Sequence, residues 1–394
     1  MHFMNYLEQS FDIRYNYKVF FTEALFDTDN LTLADFLAAQ SPAADKKMLF
    51  VLDAGLLEVN PALKTAITAY FQVHTAVQLA GKILIVPGGE AAKNNPSVLE
   101  SIIDAVDAQG IDRHSYVAAV GGGAVLDLVG YAAAIAHRGI RHIRIPTTVL
   151  SQNDSGVGVK NGVNFKGKKN FLGTFAPPVA VFNDKQFLLT LNNRDYRSGI
   201  SEAIKVALIK DPDFFAWIET HASKLLSRDM AHMDYLIKHC AKLHLEHISS
   251  LDPFERGSSR PLDFGHWSAH KLEQLSDFSI THGEAVAMGM ALDSTYSLYA
   301  GVLSEENLQR ILNLLALFFD ITNPLIRITD LNAPILQGLS EFREHLGGNL
   351  CITLLRDIGQ GFEVNEMDSH TLLQASQYIL QFKKLQFDTN AFQS

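Results

Sequence analysis

The first half of the chain alternates short apolar runs with longer stretches of helical spacing. Lys47–Leu52 is a strand-like run that ends in Asp53. Residues 61–80 suit a helix, and Lys82–Val86 a second strand closed by Pro87-Gly88-Gly89-Glu90. Residues 96–109 suit another helix. Tyr116–Val120 reads as a strand ending in Gly121-Gly122-Gly123, followed by the helical Ala124–His137 and the strand-like Arg141–Ile145. Strands separated by helices imply a mostly parallel, Rossmann-like sheet. Ligands of such sheets sit at the carboxyl ends of the strands. Asp53, the 87–90 turn and the 121–123 turn all fall there. From about residue 186 glycine and β-branched runs thin out. Helical spacing takes over, as in Leu308, Ile311, Leu312, Leu315 and Phe318. The pattern predicts an α/β domain over residues 1–185 and an all-α domain over residues 186–394, with the site in the cleft between them.

Composition narrows the function classes. Apolar residues make up 47% of the 394 and charged residues 19%, enough to bury two cores and too apolar for a disordered chain. The net charge of −10 argues against a nucleic-acid partner, which needs a basic face. Two cysteines, Cys240 and Cys351, suggest a reducing compartment without a disulfide framework. Met1–Phe21 lacks the basic start and apolar run of a signal peptide. Val117–Ile135 is long and apolar, but Gly121-Gly122-Gly123 and Asp127 fit a buried strand, a turn and a helix start better than a membrane span. These features predict a soluble cytoplasmic protein with no membrane partner.

Three clusters carry candidate chemistry. Gly121-Gly122-Gly123 between a strand and a helix lets backbone amides approach a dinucleotide phosphate, and the helix N-terminus favours the negative charge. The same turn also suits a tight connection with no ligand. Pro87-Gly88-Gly89-Glu90 with Lys93 is a second such turn; Glu90 and Asp53 could accept from ribose hydroxyls. Lys160, Lys166, Lys168 and Lys169 lie within ten residues, among Asn161, Asn164 and Asn170. With Arg138 they concentrate positive charge in an acidic chain and suit a phosphate monoester. Finally, His266 and His270 are four apart and share a helix face, Thr281-His282-Gly283-Glu284 follows, and Glu202 stands upstream. Two histidines and a carboxylate with an open position make a catalytic zinc-type site. The pair lacks the glutamate of HExxH, and chance spacing among 15 histidines explains it equally.

Together the segments PGGExxK, GGGxxxD, HRG, PTT, D(x5)K, GKKN, ExxK, GHxxxHxxE and HGEAVA resemble the 3-dehydroquinate synthase family of sugar-phosphate cyclases. The resemblance runs from about Asp53 to Gly359. It implies an N-terminal NAD-binding domain, a helical metal-binding domain, a homodimer, and NAD with Zn²⁺ or Co²⁺ as cofactors. By this resemblance the metal ligands would be Glu202, His266 and His282. NAD would meet Asp53, Glu90, Lys93, Gly122, Gly123, Asp127, Thr147, Thr148 and Thr190, with Lys160 and Lys169 nearby. Asp154, Lys160, Asn170, Lys205 and His270 would face the sugar phosphate, and Arg138 would reach the phosphate in the neighbouring subunit's site. The implied activity is that of a carbon–oxygen lyase acting on phosphates. It joins transient oxidation, phosphate elimination, re-reduction and an intramolecular aldol closure to a carbocycle.

The chain departs from the family where a substrate carboxylate is held. The expected lysine is His244; the arginine place falls on Ser259, with Arg260 adjacent, beside an insertion around Asp252-Pro253-Phe254-Glu255. An expected asparagine is Asp263, and a late lysine is replaced near His345. An anionic Asp263 disfavours a carboxylated substrate, because like charges in a dry site cost several kcal/mol. The changes resemble those of the paralogues that cyclise sedoheptulose 7-phosphate, although His270 is kept. The expected substrate is therefore a heptulose 7-phosphate without a carboxylate. The rivals are an authentic 3-dehydroquinate synthase and a metal-dependent polyol dehydrogenase.

Overall fold

The computed structural model describes residues 6–40, 46–249, 254 and 261–382. Its main sheet contains β1 (Lys18–Thr22), β2 (Lys47–Asp53), β3 (Gln78–Leu79), β4 (Leu84–Val86), β5 (Tyr116–Gly121) and β6 (Arg141–Pro146). An antiparallel hairpin of β7 (Lys160–Phe165) and β8 (Lys168–Phe175) follows, and β9 (Ala180–Asp184) returns to the sheet. The strand order is β1-β9-β6-β5-β2-β3, with β4 also on β2, and every pairing is parallel. β5 is buried along its whole length, as a strand covered on both faces must be. The apolar stretch Val117–Ile135 is β5 plus the helix Gly123–Ile135. No helix among the described residues is long and apolar enough to cross a membrane.

Several elements differ from their sequence patterns. The helix expected over residues 61–80 stops at Val73, and the apolar residues after it form β3. β3 pairs with the start of β2, and β4 with its end (Lys47↔Gln78, Asp53↔Val86). They are two pieces of one edge interrupted around Gly81. β1 was not expected as a strand at all. Its partner, Ala180, is far away in the chain, and pairing at such range leaves no local periodicity. The lysine- and asparagine-rich stretch becomes the β7–β8 hairpin. Lys166 and Gly167 both take positive φ (50° and 75°), the conformation a two-residue hairpin turn demands.

After residue 193 helices dominate: Asn193–Lys210, Pro212–Leu226, Met230–Ile248, His266–Leu275, His282–Tyr299, Glu305–Phe318, Gln337–His345 and Ser369–Gln381. This half is not all-α, since β10 (Ile352–Asp357) and β11 (Gln360–Val364) form an antiparallel ribbon. The helix His282–Tyr299 is its axis, buried almost end to end. A helix surrounded by partners needs no polar face, which is why it shows no amphipathic stripe. Thr281 and Glu284 close its N-terminus as a reciprocal capping box.

One buried cation shapes the connection that leaves the sheet. Arg144 on β6 is fully buried. Its guanidinium donates to the carbonyls of Ser155 (3.0 Å), Gly156 (3.2 Å), Gly158 (3.0 Å) and Lys160 (2.7 Å), and to Asn161 Oδ1 (2.7 Å). The Asn161 amide group in turn donates to the Ala176 carbonyl at 3.0 Å. Room for Asn161 comes from Gly130, where an added Cβ would stand 1.8 Å from Asn161 Oδ1. Just before these acceptors lies a π-helical turn, Ser151–Ser155, a form common at functional sites. Asn153 donates to the Gly199 carbonyl at 2.7 Å and ties this turn to the first long helix of the helical half. Gly130→Ala should therefore displace Asn161 and cost about 2–4 kcal/mol. Urea unfolding checks this, and a loss below about 0.5 kcal/mol would show that the Arg144 cradle yields freely.

A candidate active site between sheet and helices

The site begins at the carboxyl ends of β2, β5 and β6. The Asp53 side chain caps the next helix by accepting from the Gly55 amide at 2.8 Å and also meets the Gly122 amide. Burial pushes its carboxyl up, although these amides act against the rise. The triple glycine does not use left-handed backbone: Gly122 sits at φ −72°, ψ 173°. Its glycines serve close approach instead. A Cβ on Gly121 would press on Asp53 and Val125, and one on Gly123 would lie 2.5 Å from Ser155 Oγ. Thr147 donates its amide to the Gly121 carbonyl at 3.0 Å, and the Thr148 hydroxyl meets Ser151 Oγ at 2.8 Å. Thus Asp53, Gly122, Gly123, Thr147 and Thr148 share one rim.

The basic hairpin lies across that rim. The buried Lys93 ammonium bonds Asp127 at 3.0 Å and the side-chain carbonyl of Asn170. Burial opposes its charge, but Asp127 and Glu90 outweigh it and raise Lys93 above its ordinary value. Asn164 donates to Glu90 at 2.9 Å and accepts from the Asn170 amide at 2.8 Å. Lys169 then crosses to the helical half, with its ammonium 3.0 and 3.1 Å from the two oxygens of Glu273.

Glu273 stands beside the histidines. Its Oε2 lies 3.2 Å from His282 Nδ1. The His266 ring is 5.4 Å from His282 and 5.6 Å from His270, centroid to centroid. His266 turns Nδ1 to the Phe264 carbonyl at 3.1 Å. Both acceptors are pure acceptors, so both rings carry the proton on Nδ1 and present a lone pair on Nε2. Glu202 and Lys205 are buried neighbours on the helix Asn193–Lys210, and their charges touch. The Lys205 ammonium thus engages Glu202 through Oε1. Burial, and then Asp154, raise the Glu202 carboxyl. Lys205 is raised too, because Glu202 and Asp154 outweigh the cost of burying it. Burial holds His266 well below its usual value, with Lys205 and the other imidazoles adding to the effect. Asp154 contacts His244 at 2.9 Å. Burial works against its charge, yet His244, Lys205 and Lys160 hold its carboxyl well below the usual range.

Buried carboxylates and clustered imidazoles suit a divalent cation. Among the described residues His270, Glu273 and His282 bring ligand atoms within 4.8 Å of one another. Glu273 is engaged there by Lys169 and His282, as Glu202 is by Lys205.

Arg138, expected in the neighbouring subunit's site, and Thr190, expected at the nucleotide, both lie apart from this cluster. Arg138 is exposed at φ 63°, ahead of β6 and so at the opposite edge of the sheet. Thr190 is exposed and spends its hydroxyl on the Phe187 carbonyl at 3.0 Å. Ser259 and Arg260, with Asp252, Pro253 and Glu255, lie outside the described residues. Asp263 ends a 3-10 turn, and its charge acts on Lys205. The sequence reading gave no role to Arg144, Asp293 or Glu273, although Glu273 closes the GHxxxHxxE segment. Glu273 was within reach, since it follows His270 by three positions on one helix face.

The family models for the N-terminal and C-terminal parts of 3-dehydroquinate synthase match residues 83–198 and 199–330. A 3-dehydroquinate synthase from Dictyoglomus turgidum is 37% identical over 74% of this chain and 81% of its own length. A 2-epi-5-epi-valiolone synthase from Streptomyces hygroscopicus subsp. jinggangensis is 32% identical over 89% of this chain and 84% of its own. The solved structure of ValA (2-epi-5-epi-valiolone synthase) from that organism, with NAD⁺ and Zn²⁺ bound, superposes with a TM-score of 0.85 at 30% identity, covering 95% of this chain and 99% of that one. The fold and the cleft are those of the sugar-phosphate cyclases. This chain belongs to the 3-dehydroquinate synthase family.

Asp293 supports the turn that carries His266. It accepts from Trp267 Nε1 at 2.8 Å and from the Gly265 amide at 3.1 Å. Burial pushes its carboxyl up to about 7. A raised carboxyl makes the folded state bind the extra proton, so its contribution to stability is full near pH 4 and lost as pH rises through about 7. Wild-type stability should fall relative to Asp293→Asn between pH 5 and 7, by up to about 1.4 kcal/mol per pH unit, and level off by pH 8. Urea unfolding at each pH measures the difference; a constant gap would remove Asp293 from this role.

Proposed function

We propose that the chain is a sugar-phosphate cyclase whose substrate is a heptulose 7-phosphate without a carboxylate. It uses NAD and Zn²⁺ or Co²⁺, held by Glu202, His266 and His282. What supports this reading is the gathering of the His266, His270 and His282 rings, with Glu202 near enough to His282 for their charges to interact and with Lys205 and Asp154 beside it. The solved ValA, with NAD⁺ and Zn²⁺ bound, supports this cofactor pair.

When bound, NAD supplies reversible hydride transfer at a ring carbinol, and the metal polarises the oxygen on which charge develops. The chain's own groups do the rest. Asp53, Glu90, Lys93, Asp127, Gly122, Gly123, Thr147 and Thr148 serve the nucleotide. Lys160, Lys169 and Asn170 orient the phosphate for departure. Lys205 remains a cation between Glu202 and Asp154 and favours negative charge on the sugar oxygens. His270, on the helix face it shares with Glu273, is in reach to move a proton at the sugar.

The pocket end supports the missing carboxylate. His244 is held by Asp154, and Asp263 adds negative charge near Lys205. A second carboxylate there would face like charge in a dry site. Exposed Arg138 fits service to a neighbouring subunit, so a homodimer belongs to this reading, as does residence in the cytoplasm.

Inorganic phosphate release tests the assignment, with purified enzyme, NAD⁺ and Zn²⁺ or Co²⁺. Sedoheptulose 7-phosphate should release phosphate without net NADH. Turnover of the carboxylated heptulosonate 7-phosphate alone would sink the substrate reading. Stoichiometric NADH without phosphate would mean a polyol dehydrogenase. His282→Ala should lower phosphate release by at least about 100-fold.

A further inference from the structure

We propose that Glu273 is a positioning residue that fixes His282 as a metal ligand and links it to the basic hairpin through Lys169. The inference rests on the reading of His282 as a ligand. Three elements meet at this one carboxylate: the hairpin strand β8 through Lys169, the helix His266–Leu275 through Glu273 itself, and the first residue of the helix His282–Tyr299. Glu273 is only 3% exposed, so its charge must be matched inside the protein. Lys169 matches it with two contacts, and His282 Nδ1 takes a third on Oε2.

The chemistry of the acceptor decides what this does. An ionised carboxylate only accepts, so Nδ1 of His282 must donate. Lys169, with contacts to both Glu273 oxygens, keeps that carboxylate charged inside the protein. The ring of His282 is thereby turned and its Nε2 lone pair pointed away from Glu273. The Phe264 carbonyl does the same for His266. The two imidazoles are therefore oriented by different means, one by a neutral carbonyl and one by an anion. The anion makes its imidazole the more basic ligand. It also places the basic hairpin one contact away from the metal. Any ligand that draws Lys169 off Glu273 changes the charge felt by His282, so occupancy of the hairpin and metal affinity are coupled, and the coupling is reciprocal.

The test uses the full chain loaded with Co²⁺, read by equilibrium dialysis and by visible absorption of the ion. Glu273→Ala should raise the Co²⁺ Kd about 10–100-fold and shift the absorption bands. Glu273→Gln keeps an acceptor for Nδ1 and should fall between that variant and wild type. Lys169→Met should leave the bands in place, because the contact with His282 survives, but lower the Kd about 3–10-fold as Glu273 loses its matching cation; an unchanged Kd would remove the link to the hairpin. Glu273→Gln also covers the case in which the alanine variant does not fold. Wild-type Kd and bands in both Glu273 variants would overturn the proposal. A loss of binding in Glu273→Gln as large as in His282→Ala would also overturn it, by making Glu273 a ligand. If instead His282→Ala binds Co²⁺ as wild type does, the ligand reading itself fails.

Discussion

A guanidinium cannot be buried without acceptors, and Arg144 is favoured by the charge of Asp127 but holds no salt bridge with it. It takes four main-chain carbonyls and one side-chain amide, all from residues 155–161. That requirement sets the path of the chain between the sheet and the hairpin. Asp154 lies at one end of the path and Lys160 at the other. The glycine at 130 is part of the same solution, since the helix must leave space for Asn161. Loss of one acceptor would strand a buried charge, which is costlier than loss of an ordinary hydrogen bond. The loop is thus held by a group that touches no candidate ligand.

The cleft obeys the same rule on a larger scale. Its cations and carboxylates alternate from Asp127 and Lys93 through Lys169 and Glu273 to the imidazoles, then to Glu202, Lys205 and Asp154. Each buried charge has an opposite neighbour, and Lys93, Lys205, Asp154 and Glu273 all stay ionised more firmly than they would in water. Glu202 departs from the pattern: burial and Asp154 raise its carboxyl although the Lys205 ammonium is paired with it.

The pocket end explains how one fold can change its substrate. The nucleotide rim is built from strand ends and glycines whose roles are steric, so substitution there meets backbone. The far end is built from side chains on helices, His244 and Asp263 among them. Exchanging a side chain there alters charge without moving the frame. Under the proposed function, substrate charge is selected on the helical half, while the chemistry common to the family stays at the junction of the two halves.

The sequence by itself determined the parallel sheet, the glycine turn and the histidine segments, because strand and helix periodicity and motif spacing are local. It also led to the family, through motifs spread over most of the chain. Tertiary structure alone decided the rest. β1 and the β3–β4 edge depend on distant partners. The β10–β11 ribbon is a short excursion within helical surroundings. Arg144 looked like one more strand residue, yet its five acceptors come from a later loop. Glu273 shared a helix face with His270, but its ties to Lys169 and His282 arise only when hairpin and helices close together. The pairing of buried charges depends on which ones are brought within a few ångströms, and linear order does not set that distance.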